Sequence, residues 1–412
     1  MVDAAREREE RARAYAGMPA ENRLRRECAG GDVSRLPELV ELSARRGRHW
    51  DVLAAALRVA WRGKLRAVPW ASALRAARSL ARQARARRAA RGRPLRLAFF
   101  HGFAHFRDVA RSVFEAAARH ERLQTGKAEE VVAFRPDVVL SPQANPYDVL
   151  KLKRALPEAY FVYLRHGPAT KANAYAVASY YDAVCVSSPF FAREYVRLGA
   201  LARRTVWITG DPQADLVAAA RGRAPPQPAL LLYAPTHNPG LTSAGWLEPQ
   251  RLVGFVEARP ALRLAVKLHA NLSGSSEWAK WRAACAGRQR VEFCDDPMTS
   301  LAARLPEASL VISDFSSAAL LFLPFDRPIV LLTPPAARAS TNYDPEGVEM
   351  LSRDMAEEVT DLDALEAALG AALADPRARG ERRRHWCRLV YGDTLDGRSG
   401  ERVVARIERL FG

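Results

Sequence analysis

The chain has no apolar run long enough to cross a bilayer. A membrane-spanning helix needs about 20 predominantly apolar residues in succession, and no stretch of the 412 residues approaches that length. The first ten residues are rich in charge, where a secretory signal would become apolar. The lack of an apolar span argues against an integral membrane protein, and the charged first residues argue against a secreted protein. We therefore expect a cytoplasmic protein.

Cysteine is scarce and scattered. The five cysteines form no Cys-x-x-Cys pair and have no histidine at ligand spacing: Cys28, Cys185, Cys285, Cys294 and Cys387. This pattern argues against a disulfide framework and a zinc knuckle. No Asp-x-Asp motif follows any of the strands predicted below, so we expect neither a metal nor a cofactor.

Acidic residues are missing from one long segment. No Asp or Glu lies between Asp51 and Asp108, whereas Arg58–Arg96 contains 13 Lys or Arg, the main source of the net charge of +17. Such a charge is informative about partners. The candidates are an anionic lipid surface, a nucleic acid or another anionic polymer.

Within this segment the spacing predicts a basic amphipathic helix over Ala71–Arg88. Its arginines recur at helical spacing, and apolar residues fall roughly opposite them: Trp70, Ala73, Ala77, Leu80 and Ala84. That face is mostly alanine, so attraction to anionic headgroups, about 1 kcal/mol per basic residue, would dominate binding. We expect residues 58–93 to contact the inner face of the cell membrane. Nucleic acid is disfavoured because no known binding motif accompanies the arginines.

The order of elements predicts an α/β protein with two lobes. Residues 1–93 are typical of short helices, residues 94–222 alternate between strands and helices, and the alternation restarts over 229–412 after the Pro-rich Arg223–Pro228. This pattern predicts parallel sheets covered on both faces, with the last helix a candidate to cross back. The predicted strands are Leu95–Phe100, Val138–Leu140, Tyr160–Leu164, Ala183–Val186, Val206–Ile208, Ala229–Tyr233, Leu264–Leu268, Val291–Phe293, Leu310–Ile312 and Ile329–Leu332.

Ligands of open α/β sheets bind beyond the carboxyl ends of the strands. In the first lobe, the strand Tyr160–Leu164 leads into a loop that contains His166, Gly167 and Lys171. A histidine there can act as a general base on a hydroxyl. The alternative is that His166 only caps backbone groups.

In the second lobe, three strand ends carry polar groups. Thr236 and His237 follow Ala229–Tyr233, Lys267 and His269 lie at the end of Leu264–Leu268, and a polar cluster follows Leu310–Ile312: Ser313, Asp314, Ser316 and Ser317. His269 suits the neutralisation of a phosphate, and a structural role for His237 is an equal alternative. Serines at a helix start are typical of a phosphate cradle, and a simple helix N-cap is the alternative.

Six short motifs in this order resemble the CDP-glycerol glycerophosphotransferase family, which includes teichoic acid primases and polymerases and related capsule enzymes. The similarity covers about Arg96–Gly412. The motifs are His166-Gly167-x-x-x-Lys171, Gly210-x-Pro212-x-x-Asp215, Tyr233 to Thr236, Lys267 to His269, Ser313 to Ser317, and Asp396-Gly397-x-x-x-x-Arg402.

The resemblance implies a GT-B fold with a cleft between the lobes, the first on the acceptor side and the second on the donor side. It implies His166 and His269 as catalytic residues, with donor phosphates against Ser316 and Ser317 and with Asp314 arranging the loop. The implied partners are CDP-glycerol or a similar nucleotide-activated donor and a lipid-linked or polymeric acceptor. The loop reads His-Gly-Pro-Ala-Thr-Lys rather than the family's usual His-Gly-Thr-Pro-Leu-Lys.

Three alternatives stay open from the sequence. A nucleotide-sugar glycosyltransferase would use the same fold, a protein that binds nucleic acid or another anionic surface would need no catalysis, and an inactive family member would keep the fold alone.

Overall fold

The computed structural model describes residues 18–29, 34–61, 69–102, 104–142, 145–170, 174–197 and 201–412. These residues divide into two compact units. The first contains the described residues of Met1–His166, Ala172–Pro212 and Arg398–Gly412, and the second contains those of Gly167–Lys171 and Gln213–Gly397.

The described part of the first unit starts with four helices: α1 (Met18–Ala29), α2 (Leu36–Arg45), α3 (His49–Trp61) and α4 (Trp70–Ala89). Apolar side chains from all four pack into one core, which includes Leu24, Leu39, Val40, Val52, Val59, Ala73 and Ala76. The predicted helical character of this region is confirmed. Its burial comes from tertiary packing, which supplies most of the stability of helices this short.

The orientation of α4 corrects the prediction of its apolar face. The side chains that pack inward are Ser72, Ala73, Ala76 and Gln83, whereas Trp70 is 59% exposed and Ala77 is also exposed. Alanine is small enough to lie on either the buried or the exposed face of a helix. The packing of α4 against its neighbouring helices therefore decides which of its alanines are buried. Of the predicted apolar face, Ala73 is therefore buried in the core of the unit, whereas Trp70 and Ala77 stay exposed.

A buried ion pair joins these helices to the sheet of the same unit. The Arg48 guanidinium donates to the Asp51 carboxylate at 2.6 and 3.1 Å and to Thr205 Oγ1 at 2.8 Å, and it also donates to the Tyr181 carbonyl. Asp51 Oδ1 accepts from the Ala202 N–H at 2.8 Å. Because charge and hydrogen bonds are both satisfied, the pair can be buried at this junction.

The first sheet has six parallel strands in the order β2-β1-β3-β4-β5-β6. They are β1 (Arg96–Phe100), β2 (Glu121–Thr125), β3 (Val138–Ser141), β4 (Tyr160–Tyr163), β5 (Ala183–Val186) and β6 (Val206–Ile208). The helices between and after them are α5 (Arg111–Ala116), α6 (Ala128–Phe134), α7 (Pro146–Ala155), α8 (Ala174–Ala178), α9 (Pro189–Arg197) and α10 (Pro212–Ala218). The strand order reverses between β1 and β3, which makes that point the expected ligand position of such a sheet.

The second sheet is also six-stranded and parallel, in the order β12-β11-β10-β7-β8-β9. Its strands are β7 (Ala229–Tyr233), β8 (Leu262–Val266), β9 (Val291–Phe293), β10 (Leu310–Ser313), β11 (Ile329–Leu332) and β12 (Glu357–Val359). Counted within the unit, this is the Rossmann order 3-2-1-4-5-6. Its order reverses between β7 and β10.

Seven helices accompany the second sheet: α11 (Pro249–Glu257), α12 (Ser276–Cys285), α13 (Leu301–Arg304), α14 (Ser317–Phe322), α15 (Val348–Leu351), α16 (Leu365–Ala374) and α17 (Gly380–Tyr391). The core of this unit contains apolar strand residues together with Trp278, Trp281, Leu365 and Leu369.

The last helix, α18 (Ser399–Phe411), belongs to the first unit. Its buried residues Val403, Val404, Ile407 and Phe411 join the core beneath β1 and β3. Glu408 lies 2.9 Å from His120 Nε2, and this contact links the helix to the segment between α5 and β2. Residues 399–411 therefore pack into the first unit although they follow the second unit in the chain.

No helix of the described residues is both long and apolar enough to span a bilayer. Among the described residues, which include all five cysteines, no disulfide is formed.

Candidate active site

Three adjacent strands of the second sheet end in the polar groups that the sequence predicts as functional. β10, β7 and β8 are neighbours in the sheet and are followed by Asp314, Thr236 and Lys267. Because the strands are parallel, these ends share one edge. β7 and β10 flank the reversal in strand order, where ligands of this fold class bind.

Asp314 organises this edge. Its side chain is buried, Oδ1 accepts from the Thr236 N–H at 2.8 Å, and Oδ2 accepts from the Ser243 N–H at 2.7 Å and the Ser243 hydroxyl at 2.9 Å. The carboxylate thus joins the loops that follow β7 and β10. Ser243 had no signal in the sequence, because a contact across 71 residues leaves no local pattern.

The serines of the predicted cradle differ in their surroundings. Ser313 is fully buried and its hydroxyl donates to the Ala234 carbonyl at 2.7 Å. Ser316 is half-buried and is the N-cap of α14, where Oγ accepts from the Ala318 N–H at 3.3 Å. Ser317, also half-buried, is the first residue of that helix. Ser316 is therefore a helix N-cap, which was the alternative to a phosphate cradle. Its hydroxyl proton and the Ser317 side chain lie at the start of the same helix.

Lys267 is a largely buried cation at the end of β8. Its Nζ donates to the Leu268 carbonyl at 3.2 Å, and burial lowers the pKa of the amine. No carboxylate forms an ion pair with this amine among the described residues. An anionic ligand would stabilise its charged form, because an opposite charge favours protonation.

His269 presents a donor. Its Nδ1 accepts from the Asn271 N–H at 3.1 Å, so the neutral ring carries its proton on Nε2. The ring packs on His237, with 4.1 Å between ring centroids and 34° between planes. The two histidines that the sequence placed at this sheet edge are therefore in contact. Nε2–H of His269 can donate to a phosphate oxygen.

Gly167 and Thr170 also lie in the second unit. Thr170 is buried, and the Glu349 carboxylate accepts from its N–H at 3.0 Å and from its hydroxyl at 3.3 Å. The Thr170 hydroxyl oxygen in turn accepts from the Val348 N–H at 3.1 Å, which fixes the loop against α15. Lys171, predicted to bind substrate, lies outside the described residues.

Replacing Gly167 with alanine tests the approach of this loop to the serine cradle. The residue has φ +97°, and a Cβ atom would lie 3.0 Å from both Cβ and Oγ of Ser317. We expect Gly167→Ala to displace Ser317 and to raise KM for a nucleotide-activated donor about tenfold. Gly287→Ala is the matched control, because it has φ +71° but no atom within 4 Å. Equal donor KM values in the two variants would contradict the assignment of Gly167 and Ser317 to the donor site.

In the first unit, His166 presents an acceptor. It follows β4, and Nδ1 lies 3.2 Å from the Pro142 carbonyl oxygen, which only accepts hydrogen bonds. The neutral ring therefore carries its proton on Nδ1 and a lone pair on Nε2. Phe106 packs against the ring with 4.5 Å between centroids. The preceding residue Arg165 has φ +60°, and its buried guanidinium stacks over Phe191 and Tyr195.

His101 is a functional candidate that the sequence interpretation missed. It directly follows β1, beside the reversal of strand order in the first sheet. Its Nδ1 is buried without a hydrogen-bond partner among the described residues, and burial together with Arg107 lowers the pKa of the ring. The same strand-end rule that selected His166 would have selected it. Among the described residues no three His, Cys, Asp or Glu side chains are grouped to hold a metal ion.

The architecture is that of the GT-B class, two Rossmann-like lobes each built on a parallel sheet. Among solved structures, a histidine variant of the wall teichoic acid polymerase TagF is similar, with a TM-score of 0.57 and 12% identity over 81% of this chain and 94% of that one. The same variant soaked with CDPG gives 0.58 at 12% identity and the same coverage.

A second group of similar structures consists of UDP-N-acetylglucosamine 2-epimerases. A putative one from Listeria monocytogenes gives a TM-score of 0.53 at 14% identity, over 77% of this chain and 97% of that one. At such identities the likeness shows the fold. No family model and no curated protein matches the sequence.

Proposed function

We propose that the chain transfers glycerol phosphate, or a related polyol phosphate, from a CDP-activated donor to a hydroxyl group. The acceptor is a lipid-linked precursor or a capsular or other cell-surface polymer. The fold shared with the teichoic acid polymerase and the six sequence motifs support this choice among GT-B reactions.

The observation that carries the proposal is the opposite hydrogen bonding of two histidines. His166 donates from Nδ1 and keeps a lone pair on Nε2, whereas His269 accepts at Nδ1 and keeps a proton on Nε2. One ring is thus prepared to accept a proton and the other to donate a hydrogen bond. Phosphoryl transfer to a hydroxyl needs both functions.

In the proposed reaction, His166 Nε2 accepts the proton of the attacking hydroxyl. The hydroxyl oxygen forms a bond to the β-phosphorus as the bond from that phosphorus to the bridging oxygen breaks. CMP leaves with the bridging oxygen, and the product is a new phosphodiester. His269 Nε2–H stabilises the negative charge that develops on the phosphoryl oxygens.

The donor phosphates would bind near residues of the second unit that offer hydrogen-bond donors. Lys267 supplies a cation without a carboxylate partner among the described residues, and Ser316 and Ser317 supply hydroxyls at the start of α14. Thr236 and His237 follow the neighbouring β7. Asp314 fixes this arrangement as a positioning residue, since its oxygens are occupied by donors from Thr236 and Ser243.

A donor screen tests the proposal. The purified chain is incubated with CDP-glycerol, CDP-ribitol and UDP-N-acetylglucosamine in the presence of a lipid-linked acceptor, and the released nucleotide is measured. We expect CMP from a CDP-polyol and no UDP. Release of UDP with no CMP would replace the proposal by the nucleotide-sugar reaction, which the likeness to UDP-sugar epimerases makes the specific alternative.

We also propose that the enzyme docks on an anionic membrane through the tip of the α3–α4 pair. Four apolar side chains there are strongly exposed: Leu57 (69%), Trp61 (93%), Trp70 (59%) and Leu74 (53%). Arg58, Arg75 and Arg78 are exposed on the same two helices. Aromatic side chains together with cations are the chemistry of a membrane interface. We call these four apolar residues the tryptophan tip.

Removing both indoles should release the protein from lipid. We expect Trp61→Ala/Trp70→Ala to weaken flotation with vesicles of phosphatidylcholine and phosphatidylglycerol at least about tenfold, because each indole would bury a large apolar area. The thermal unfolding temperature stays unchanged, since both residues are exposed. Leu351→Ala, which truncates an exposed leucine of α15, is the control. Undiminished flotation, or tight binding of duplex DNA at physiological salt, would refute membrane docking.

A further inference from the structure

A basic cavity opens at the amino edge of the first sheet. One wall comes from the α2–α3 turn and from α4, and the other from the end of α7 and the residues before β4 and β5. Ala159 and Asp182 stand at the amino ends of β4 and β5, whereas His166 follows the opposite end of β4. The cavity is therefore separate from the candidate active-site residues of this unit.

The lining is strongly cationic. It contains one carboxylate, Asp182, and five cations: Arg45, Arg46, Arg82, Lys153 and Arg154. Both oxygens of Asp182 are occupied, because Oδ1 accepts from Lys153 Nζ at 3.0 Å and Oδ2 accepts from the Phe161 N–H at 2.9 Å. The single negative charge is thus already compensated by Lys153.

The remaining cations differ in their pairing. Arg46 donates to Glu21 at 2.6 Å and stacks on Tyr180, with 3.6 Å from its Cζ to the ring centroid. Arg45, Arg82 and Arg154 are exposed at the cavity, and no carboxylate of the described residues forms an ion pair with them. The unpaired positive charge at the cavity therefore comes from these three side chains.

Gln83 gives an independent indication of a ligand. Its side chain lines the cavity and is only 4% exposed, yet it has no hydrogen-bond partner among the described residues. Its amide is open to the cavity, where a ligand can supply a hydrogen-bond partner. Beside it are the Ser79 hydroxyl and the His49 ring. Burial lowers the pKa of His49 to about 4, so the ring is neutral at physiological pH and can donate one hydrogen bond.

The size of the cavity limits the ligand. Its volume is about 210 Å³. Pockets that enclose drug-sized ligands measure roughly 300–1,000 Å³. A phosphate with a small substituent fits this volume, whereas a larger ester would extend out of the cavity.

We propose that this cavity binds the phosphate group of a small phosphate ester. A lining of hydrogen-bond donors and unpaired guanidinium groups matches the three acceptor oxygens of a phosphate monoester. The ester is either a soluble compound of the size of glycerol phosphate or the headgroup of phosphatidic acid. The site lies on the unit that also carries the tryptophan tip, and it does not depend on the proposed transfer reaction.

Two double variants of the full chain test the proposal. Arg82→Gln/Arg154→Gln removes two cavity cations, and Arg85→Gln/Arg88→Gln removes two exposed arginines of α4 that do not line the cavity. Calorimetric titration with glycerol 3-phosphate should show millimolar or tighter binding to the parent and to the second variant. We expect binding at the cavity to be at least about tenfold weaker in the first variant.

Vesicles of phosphatidylcholine and phosphatidic acid distinguish the sources of the ester. Weaker vesicle binding by the cavity variant than by the control variant identifies the lipid headgroup as the ligand. Equal vesicle binding, with loss of glycerol 3-phosphate binding only in the cavity variant, identifies a soluble ester. The proposal is overturned if the parent does not respond to either ligand, if both variants behave alike with both ligands, or if acetate at the same ionic strength binds equally well.

Discussion

His166→Asn and His269→Asn are each expected to reduce kcat for donor turnover by two to four orders of magnitude, about 10²–10⁴-fold. Asparagine can preserve the hydrogen bond made by Nδ1 in either ring. Its amide N–H2 can donate to the Pro142 carbonyl in place of His166, and its amide oxygen can accept from the Asn271 N–H in place of His269. What each substitution removes is the chemistry at Nε2.

The two substitutions should differ in their effect on the donor. His166 is assigned to the acceptor hydroxyl, so His166→Asn should leave the Kd of CDP-glycerol unchanged. His269 is assigned to the donor phosphates, so His269→Asn should also weaken donor binding. Stopped-flow fluorescence gives the donor Kd, and nucleotide release gives kcat.

His385→Asn is the matched control, since it changes a histidine of α17 that has no role in the proposed reaction. Thermal unfolding should differ little among the three variants, because His166 and His269 are only half-buried. Turnover at the parental rate in either active-site variant would remove that histidine from the mechanism.

The sequence predicted the centre and one edge of each sheet but missed the other edge. All ten predicted strands are present, several with limits shifted by one or two residues. Eight of them lie inside the sheets, where parallel strands are apolar on both faces. β2 and β12 were missed. They read Glu-Arg-Leu-Gln-Thr and Glu-Glu-Val, and both lie at a sheet edge where solvent tolerates polar side chains.

The candidate residues were also found by their position at strand ends, but their partners were not. Each decisive contact joins segments far apart in sequence, as with Asp314 and Ser243, Thr170 and Glu349, and Gly167 and Ser317. A local pattern carries no information about such pairs. The proton positions on the two histidines likewise depend on backbone groups that only the folded chain supplies.

Asp314→Ala is expected to lower the free energy of unfolding of the second unit by about 3–5 kcal/mol. The substitution leaves three buried donors without their acceptor: the N–H groups of Thr236 and Ser243 and the Ser243 hydroxyl. Each unsatisfied donor costs about 1–3 kcal/mol, and water that enters the site recovers part of this. The Ser243 hydroxyl retains its contact with the Tyr233 hydroxyl at 2.9 Å.

Asp314→Asn separates charge from geometry at the same position. The amide keeps one acceptor oxygen, but its NH2 group must face either the Thr236 N–H or the Ser243 N–H, and two donors then meet. We expect a smaller destabilisation than for alanine, together with a raised donor KM because the loop that carries Thr236 and His237 loses its fixed position. Urea unfolding monitored by tryptophan fluorescence measures the first effect, and nucleotide release measures the second.

Asp361→Asn is the control, because that exposed N-cap carboxylate accepts only from Asp363 N–H and asparagine caps a helix equally well. If Asp314→Asn unfolds at the same urea concentration as Asp361→Asn and keeps the parental donor KM, Asp314 does not hold the β7 and β10 loops together.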